Sequence, residues 1–367
     1  MSLQNERILF FTRTMKLGGT ENVILQLCDI FKDKVDKIIV CSCGGVNVEK
    51  LNKMGIKHYE IPDITSKTVG NIRKALSVLK SIVKNEKITV IHTHHRMAAF
   101  YTRLFGLHKK CLFINTSHNT FYDKKKLTRF AYKKANLVAC GEMVKKNLED
   151  YFRLSNVSAI TNSVYPFTGS VTLDKDIERM HREGKFVIAN VGRLSEQKGM
   201  EYYLGAIPKV VSKYPNTRFL VVGEGEDRAK LEQMVDQLGI KDFVLFMGYR
   251  NDVQNIMLQV DLIVLSSLWE GYPLTPIEAF SVGKTIIATA VDGTVEIVKD
   301  DINGYLVNAK DSQCIAEKII YLQDNKEKLK GFEKEATRTY NEELSFEKFA
   351  QHYIEYYINK VTDSHND

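Results

Sequence analysis

Hydrophobic positions along the chain fall into short continuous runs that alternate with longer stretches of helical period. The first half contains six such runs, which read RILFFT, KIIVCS, ITVIHT, CLFINTS, NLVACG and VSAI. The second half contains five more, FVIANVG, RFLVVG, FVLFMG, DLIVLSS and TIIATA. Strands that are apolar throughout are buried on both faces, as in parallel sheets covered by helices. The pattern therefore predicts an α/β protein with two doubly wound, Rossmann-like domains.

Two changes in this pattern indicate the domain boundaries. The stretch at 161–176, TNSVYPFTGSVTLDKD, has no clear periodicity, and the second series of strands opens at Phe186. Near the C-terminus, apolar residues recur at helical spacing from Phe346 to Tyr357, and Ser345 can cap a helix there. We therefore predict a first domain over 1–165, a second over 166–344 and a closing helix over 345–367.

Charge is divided unevenly between the two halves. Residues 1–165 contain 28 Lys and Arg against 13 Asp and Glu, a net charge of +15, whereas the remainder contains 24 against 32, a net charge of −8. This asymmetry suggests that the two domains meet different partners. The sequence has no apolar run near the roughly 20 residues of a membrane span and no secretory signal pattern. We expect a cytoplasmic protein whose six cysteines are free thiols.

Residues that follow the strands are the first candidates for chemistry, because doubly wound sheets bind ligands beyond the carboxyl ends of their strands. Gly18 and Gly19 follow the first strand and permit a tight turn that suits a phosphate, with Thr20 as the cap of the next helix. Arg193 and Lys198 follow the first strand of the second domain and are placed to hold a diphosphate. The alternative for the two glycines is an ordinary turn, and the alternative for the two cations is a solvated loop.

Three other motifs each have a structural alternative. His118 follows the strand FINTS and suits a structural role as well as a functional one. The HTHH run at 92–95 has no carboxylate beside it, so we predict no metal site there. The segment VGEGEDRAK at 222–230 lacks the third glycine of a dinucleotide-binding turn and carries acidic residues that would repel a pyrophosphate.

The segment WEGYPLTPIEAF at 269–280 holds two carboxylates, Glu270 and Glu278, on either side of two prolines. Its second half predicts a helix with Thr275 as N-cap, Pro276 in the first turn and Glu278 completing a capping box. Capping is therefore one prediction for Glu278, and ligand binding is the other. No comparable structural role is evident for Glu270.

Together these motifs resemble the retaining nucleotide-sugar glycosyltransferases of family 4, which have the GT-B fold. The matching segments are GGTE (18–21), His118, NSV (162–164), VGRLSEQKG (191–199), GEG (223–225), GYRNDV (248–253) and EGYPLTPIE (270–278). The resemblance implies two domains that face each other across a cleft, with the last helix crossing back to the first domain. It also implies transfer of a sugar from a UDP-sugar or another nucleoside diphosphate sugar, without a metal or other cofactor.

The resemblance further implies roles for individual residues. His118 would touch the donor sugar near the reacting carbon, and Glu270 would contact the same sugar. Arg193 and Lys198 would neutralise the leaving phosphate, and Glu278 would hold the ribose hydroxyls. The other implied donor-binding positions are Gly18, Gly19, Gly223, Tyr249, Arg250, Gly271, Leu274 and Thr275, with the segment around 249–250 lining the base pocket.

A predicted basic helix in the first domain is the candidate for the acceptor side. Its cations are Lys124, Lys125, Lys126, Arg129, Lys133 and Lys134, with Leu127, Phe130 and Ala131 among them. Such a segment can lie on an anionic membrane surface, and a solvated helix face is the alternative. The resemblance implies that the first domain receives the acceptor. We expect a saccharide or lipid-linked acceptor in bacterial capsule, exopolysaccharide or lipopolysaccharide synthesis, and no nucleic acid.

Two other functions remain as alternatives at this point. A sugar-nucleotide epimerase of the same fold would bind the same donor, and formation of an epimer instead of transfer would identify it. A non-catalytic membrane-surface protein on the same scaffold would fail to bind UDP. The pattern of residues leaves the oligomeric state open.

Overall fold

The chain divides into two units in a computed structural model that describes residues 3–66 and 68–366. The first unit comprises Met1–Asn162 together with Glu347–Asp367, and the second comprises Ser163–Phe346. The sequence places the boundaries after residues 165 and 344, and the contacts place them after residues 162 and 346. All six cysteines are free thiols.

The first unit is built on a seven-stranded sheet in which every strand pairs with its neighbours in parallel. Its strands are β1 (Arg7–Phe11), β2 (Lys37–Ser42), β3 (Lys57–Glu60), β4 (Val90–Thr93), β5 (Leu112–Ser117), β6 (Asn136–Ala139) and β7 (Val157–Ala159). They lie in the order β3-β2-β1-β4-β5-β6-β7. The α-helices that follow them are α1 (Gly19–Phe31), α2 (Val48–Lys53), α3 (Val69–Asn85), α4 (Arg96–Leu104), α5 (Lys125–Tyr132) and α6 (Glu142–Lys146).

The second unit has a six-stranded parallel sheet of the same design. Its strands are β8 (Phe186–Val191), β9 (Thr217–Val222), β10 (Val244–Gly248), β11 (Leu262–Leu265), β12 (Ile286–Thr289) and β13 (Gly304–Val307). They lie in the order β10-β9-β8-β11-β12-β13. Its α-helices are α7 (Lys175–Arg182), α8 (Met200–Lys213), α9 (Arg228–Gln237), α10 (Val253–Gln259), α11 (Leu274–Ser281), α12 (Thr294–Ile297), α13 (Ser312–Asp324) and α14 (Lys326–Thr339).

The last helix, α15 (Phe346–Asn366), completes the first unit. Tyr353 and Tyr357 on its apolar stripe are fully buried. The ring of Tyr357 lies 4.4 Å from that of Phe31, and its hydroxyl is 2.7 Å from Nδ1 of His92 in β4. Within the described ranges, none of the helices has the length and apolar character needed to cross a membrane.

The structure confirms the predicted doubly wound α/β architecture, including all eleven strands expected from apolar runs. It adds β3 and β13, which the pattern does not predict. Each is an edge strand of four residues, and β3, with the sequence KHYE, has no buried position. As an edge strand, β3 has only one hydrogen-bonding neighbour and tolerates polar side chains, so it lacks the continuous apolar signature. In contrast, β13 has the sequence GYLV and is largely buried, but only three apolar residues follow its glycine.

Candidate active site

Each sheet has one point at which the strand order reverses, and ligands of doubly wound sheets bind beside that point. In the second unit it lies between β8 and β11, and the loops after these strands carry Arg193, Lys198 and Glu270. In the first unit it lies between β1 and β4, and Gly18 and Gly19 follow β1. These five predicted residues therefore follow the strands at the two switch points, whereas His118 follows β5 and Tyr249 and Arg250 follow β10.

Lys198 and Glu270 form an ion pair in the second unit. Lysine Nζ is 2.5 Å from glutamate Oε1, and the two side chains are 17% and 7% exposed. Ser267 Oγ donates to the same carboxylate oxygen at 2.7 Å. The attraction is less screened by water than that of a surface pair. An anionic phosphate entering beside the pair would compete with Glu270 for the lysine ammonium.

Close packing of the surrounding loops depends on glycines. Gly223 has a φ of +140°, and a Cβ there would lie 1.9 Å from the carbonyl oxygen of Gly192. Gly199 has a φ of +55°, and its Cβ would lie 2.3 Å from the carbonyl oxygen of Ser266. Side chains at these two positions would separate the loops after β8, β9 and β11. Gly223 thus supports the loop that carries Arg193.

Arg193 itself is exposed at the end of β8. The backbone next to it is held by the acidic segment after β9. The N–H of Leu194 donates to the carbonyl of Glu224 at 3.0 Å, and the carbonyl of Leu194 accepts from the N–H of Asp227 at 3.0 Å. The loop is therefore fixed through its main chain while the guanidinium extends outward.

Helix α11 begins earlier than the sequence predicts. It starts at Leu274 with Pro273 as N-cap, and no side chain caps it. The predicted capping box of Thr275 and Glu278 is therefore wrong. Thr275 lies in the first turn, and its Oγ1 donates to the carbonyl of Val191 at 3.4 Å. Pro273 has a φ of −68° and a ψ of 139°, an extended conformation that lets the helix begin at the next residue.

The N-terminus of α11 offers two amides to a ligand. Prolines at 273 and 276 lack an N–H, which costs nothing here because the first N–H groups of a helix have no intrahelical acceptor. Leu274 and Thr275 carry the remaining N–H groups, and neither donates to another residue within the described chain. Gly271 is buried just upstream. Free amides at a helix N-terminus are suited to an anion.

Glu278 is a half-buried carboxyl on α11. Its side chain makes no hydrogen bond to the part of the chain that the structure describes, so capping does not occupy it. Burial raises its pKa from 4.5 to about 7, and the positive charge of Lys198 opposes that rise. A carboxyl of this kind can accept from paired hydroxyl groups once it is ionised.

Tyr249 and Arg250, which follow β10, differ from each other in exposure and in contacts. Tyr249 is 52% exposed. Arg250 donates from Nε and Nη2 to Asp252 and from Nη1 to Asp174, each at 2.8 Å. These hydrogen bonds raise the pKa of Arg250 and lower that of Asp252. In this structure Arg250 therefore braces the segment, and the ring of Tyr249 is left on the surface.

In the first unit, the loop after β1 leads directly into α1. The helix starts at Gly19 with Gly18 as N-cap, so the predicted capping role of Thr20 is wrong. Thr14 Oγ1 donates to Oε1 of Glu21 at 2.6 Å. A Cβ on Gly18 would lie 2.5 Å from the other oxygen of Glu21. Gly18 therefore leaves room for the carboxylate that holds the loop.

His118 belongs to a row of neutral histidines. Its Nε2 is 3.0 Å from Nδ1 of His94, whose ring centroid lies 4.3 Å from that of His92. His92 contacts Tyr357 through Nδ1 and Thr116 Oγ1, at 2.8 Å, through Nε2. Burial lowers the pKa of His118 to about 4 and those of the other two well below 6.5. No group of three or more His, Cys, Asp or Glu side chains suited to a metal occurs among residues 3–66 and 68–366.

The predicted basic helix is α5, and it presents a mixed surface. Lys124 precedes it with a φ of +44°. Exposed cations on and beside the helix are Lys124, Lys125, Lys126, Arg129, Lys133 and Lys134. Phe130 is 38% exposed and Tyr122, just upstream, is 70% exposed. The helix therefore combines positive charge with exposed aromatic rings, as surface-binding helices do.

The motifs did not identify three residues that contact the predicted site residues, namely Ser267 and Asp292 in the second unit and His94 in the first. Ser267 contacts the Glu270 carboxylate, and the Glu270 N–H donates to Oδ2 of Asp292 at 3.0 Å. His94 contacts His118. Asp292 could have been found by the strand-end rule, since it follows the run TIIATA. Ser267 could have been found in the same way, since it ends the run DLIVLSS.

Two family models match the chain. Residues 17–166 match Glycosyltransferase Family 4, and residues 171–339 match Glycosyl transferases group 1. The first match lies almost entirely in the first unit, and the second lies within the second unit.

Curated relatives and solved structures agree with these matches. UDP-Gal:alpha-D-GlcNAc-diphosphoundecaprenol alpha-1,3-galactosyltransferase of Escherichia coli is 27% identical over 339 residues, which cover 84% of this chain and 86% of the relative. N-acetyl-alpha-D-glucosaminyl L-malate synthase of Bacillus anthracis is 22% identical over 307 residues, which cover 79% of this chain and 80% of the relative. HepE of Anabaena, solved with UDP-glucose, superposes with a TM-score of 0.82 at 19% identity over 96% of this chain and 99% of its own. The GT-B fold is thereby confirmed.

Proposed function

Because the chain belongs to the family 4, group 1 glycosyltransferases, we propose that it transfers a sugar with retention from a UDP-sugar or another nucleoside diphosphate sugar. The acceptor is a hydroxyl group of a lipid-linked saccharide in bacterial polysaccharide synthesis, and the reaction needs no metal. One observation carries the proposal. Glu270, which pairs with Lys198, lies just upstream in sequence of a helix start whose Leu274 and Thr275 amides donate to no other described residue.

The leaving group explains why such an arrangement suits the reaction. As the diphosphate departs, negative charge gathers on its phosphate and positive charge on the anomeric carbon. Lys198 and Arg193 supply cations, and the two amides supply hydrogen bonds, for the phosphate oxygens. Fixed groups aimed at developing charge are usually the largest contribution to catalysis. Glu270, freed from Lys198 as phosphate arrives, contacts the sugar.

Retention follows if the acceptor attacks on the face from which the diphosphate leaves. The bond from the anomeric carbon to phosphate breaks as the glycosidic bond forms, and a phosphate oxygen takes the proton of the acceptor hydroxyl. This step requires no base from the protein. Glu278, when ionised, accepts from the ribose hydroxyls and holds the nucleotide in place.

The acceptor class is supported by a relative and by the surface of the first unit. The Escherichia coli relative is named for transfer to a GlcNAc-diphosphoundecaprenol. A lipid-linked acceptor of that kind stays at a membrane, and each cation of α5 near an anionic leaflet contributes about 1 kcal/mol. We propose that the basic surface of α5 holds the enzyme there.

A transfer assay with defined substrates tests the proposal. The full chain is incubated with UDP-galactose, UDP-glucose or UDP-N-acetylglucosamine, a short-chain lipid diphosphate GlcNAc acceptor and EDTA. We expect transfer from one of these donors, and NMR of the product should show the α-configuration of the donor. An inverted product, or a strict need for added metal, would contradict the mechanism. An epimerised nucleotide sugar without transfer would identify the alternative enzyme class.

Variants with matched controls test the residues. Glu278→Ala and Arg193→Ala should each lower kcat/KM at least about tenfold, since each removes a contact to the donor. The controls are Glu317→Ala and Lys209→Ala, whose surface ion pair at 2.8 Å lies on α8 and α13. These controls should remain active. Full activity of both site variants would refute the site assignment.

A further inference from the structure

The end of β12 and the turn that follows it hold the loop of Glu270 at three points. Thr289 Oγ1 donates to the carbonyl of Ser267 at 2.6 Å. Oδ2 of Asp292 accepts the N–H of Glu270 at 3.0 Å. Gly293 packs so closely that a Cβ there would lie 2.0 Å from the carbonyl oxygen of Gly271. The main chain is thus fixed on both sides of Glu270 by a neighbouring loop.

Asp292 adopts an unfavourable backbone conformation in order to make its contact. Its φ is +36°, in the left-handed region that side chains rarely occupy. Asp and Asn tolerate this region better than most residues, but it still costs free energy. Such strain persists where surrounding contacts enforce it, and the contacts of this turn include those of Asp292 and Gly293 to the Glu270 loop.

The carboxylate of Glu270 depends on this backbone geometry. Its Oε1 accepts hydrogen bonds from Lys198 Nζ and Ser267 Oγ, so a small displacement of the main chain would break one or both of them. Errors of about 1 Å in the position of a catalytic group can cost a hundredfold in rate.

We infer that Asp292 is a positioning residue that sets Glu270, and with it the Lys198–Glu270 pair, for the transfer step. Gly293 makes the approach possible because it has no side chain. The effect on transfer rests on the proposed function. The effect on the Glu270 main chain does not.

Three substitutions separate the two features of Asp292. Asp292→Asn keeps an acceptor oxygen and tolerates a positive φ. Asp292→Gly relieves the backbone strain but removes the acceptor, and Asp292→Ala loses both advantages. Asp301→Ala is the matched control, because Asp301 also has a positive φ of +61° and its carboxylate pairs with Lys328 at 2.9 Å, away from Glu270.

Site-resolved hydrogen exchange gives a readout that needs no activity. The Glu270 amide should exchange at least about tenfold faster in Asp292→Gly and Asp292→Ala than in the unmodified chain, because its acceptor is gone. Asp292→Asn and Asp301→Ala should keep its protection. Unchanged protection in Asp292→Gly would overturn the inference even if the chain shows no transferase activity at all.

Kinetics give the second readout. In Asp292→Gly we expect kcat to fall about tenfold while the affinity for UDP stays within about twofold, since UDP lacks the transferred sugar that Glu270 would contact. Asp292→Asn should restore most of the rate. An equal loss in Asp301→Ala, or a parallel loss of UDP affinity in Asp292→Gly, would indicate general damage to the unit and would refute a positioning role.

Discussion

Protonation of Glu278 should control donor binding near neutral pH. Its carboxyl is half-buried, and no hydrogen bond within the described chain stabilises the ionised form. Burial therefore raises its pKa to about 7, against the attraction of Lys198. Ribose hydroxyls donate to an ionised carboxylate, so donor binding selects that form and lowers the pKa in the complex.

The size of the effect follows from the pKa of about 7. About nine-tenths of the carboxyl is ionised at pH 8 and about one-tenth at pH 6, so UDP affinity should fall about tenfold between these values. Stability changes in the opposite sense. Because the folded pKa lies above the ordinary 4.5, the folded chain holds a proton that the unfolded chain has lost between pH 4.5 and 7. Ionising Glu278 in the folded chain therefore costs about 3 kcal/mol of stability, and this stability is lost progressively as pH rises from 4.5 through 7.

Isothermal titration with UDP at pH 6, 7 and 8, in buffers of different ionisation enthalpy, measures both affinity and proton release. We expect release of about half a proton at pH 7. Glu278→Gln should bind weakly with an affinity that varies less with pH. Glu333→Gln is the control, because Glu333 is also a half-buried carboxyl of the second unit with a raised pKa. Tenfold pH dependence that survives in Glu278→Gln would refute the reasoning.

Three other perturbations test the glycine packing, the neutral histidines and the basic surface. Gly223→Ala should destabilise the second unit by at least about 3 kcal/mol. The control Gly239→Ala, also at positive φ but with open space around it, should cost only about 1 kcal/mol. Calorimetry should therefore show the larger fall in Tm for Gly223→Ala. Burial lowers the pKa values of His92 and His94 well below 6.5, so below pH 6.5 the unfolded chain binds protons that the folded chain does not. As pH falls below 6.5, the free energy of unfolding of the first unit should therefore fall by about 1.4 kcal/mol per histidine per pH unit. Hydrogen exchange in urea measures this free energy, and a constant value would show that the rings are already charged in the folded chain. Reversing the three cations among the first five residues of α5 should weaken flotation with phosphatidylglycerol vesicles at least about tenfold, and unchanged flotation would exclude this surface as the membrane contact.

Continuous apolar strands and their following loops could be predicted from the sequence, because burial on both faces leaves a direct record in residue type. This record is missing in β3, the edge strand KHYE, because it has a neighbour on one side only and no buried residue. Helix starts were the least predictable feature. Thr20 and Thr275 were both predicted to be caps, but the helices begin earlier, with Gly18 and Pro273 as N-caps and no side chain capping either helix.

Within the site, residue identity could be predicted better than pairing. Lys198 and Glu270 are 72 positions apart, and only the adjacency of β8 and β11 brings them together. Asp292 follows the run TIIATA, but its hydrogen bond is to the Glu270 main chain, so no residue type in the Glu270 segment points to the pairing. The motif predicts that Arg250 contacts the ligand. In the structure it also pairs with Asp174, which lies in a distant segment of the chain.

The position of α15 in the first unit has a consequence for how the protein is made. The second unit is continuous over 163–346, whereas the first needs residues from both ends of the chain. During synthesis the second unit can therefore reach its native fold while the first still waits for the helix that carries Tyr353 and Tyr357. Until residue 357 has left the ribosome, His92 lacks its tyrosine partner and part of the first sheet stays uncovered. The domain translated first is thus completed last. While its apolar face is still exposed, the protein is most open to misassembly.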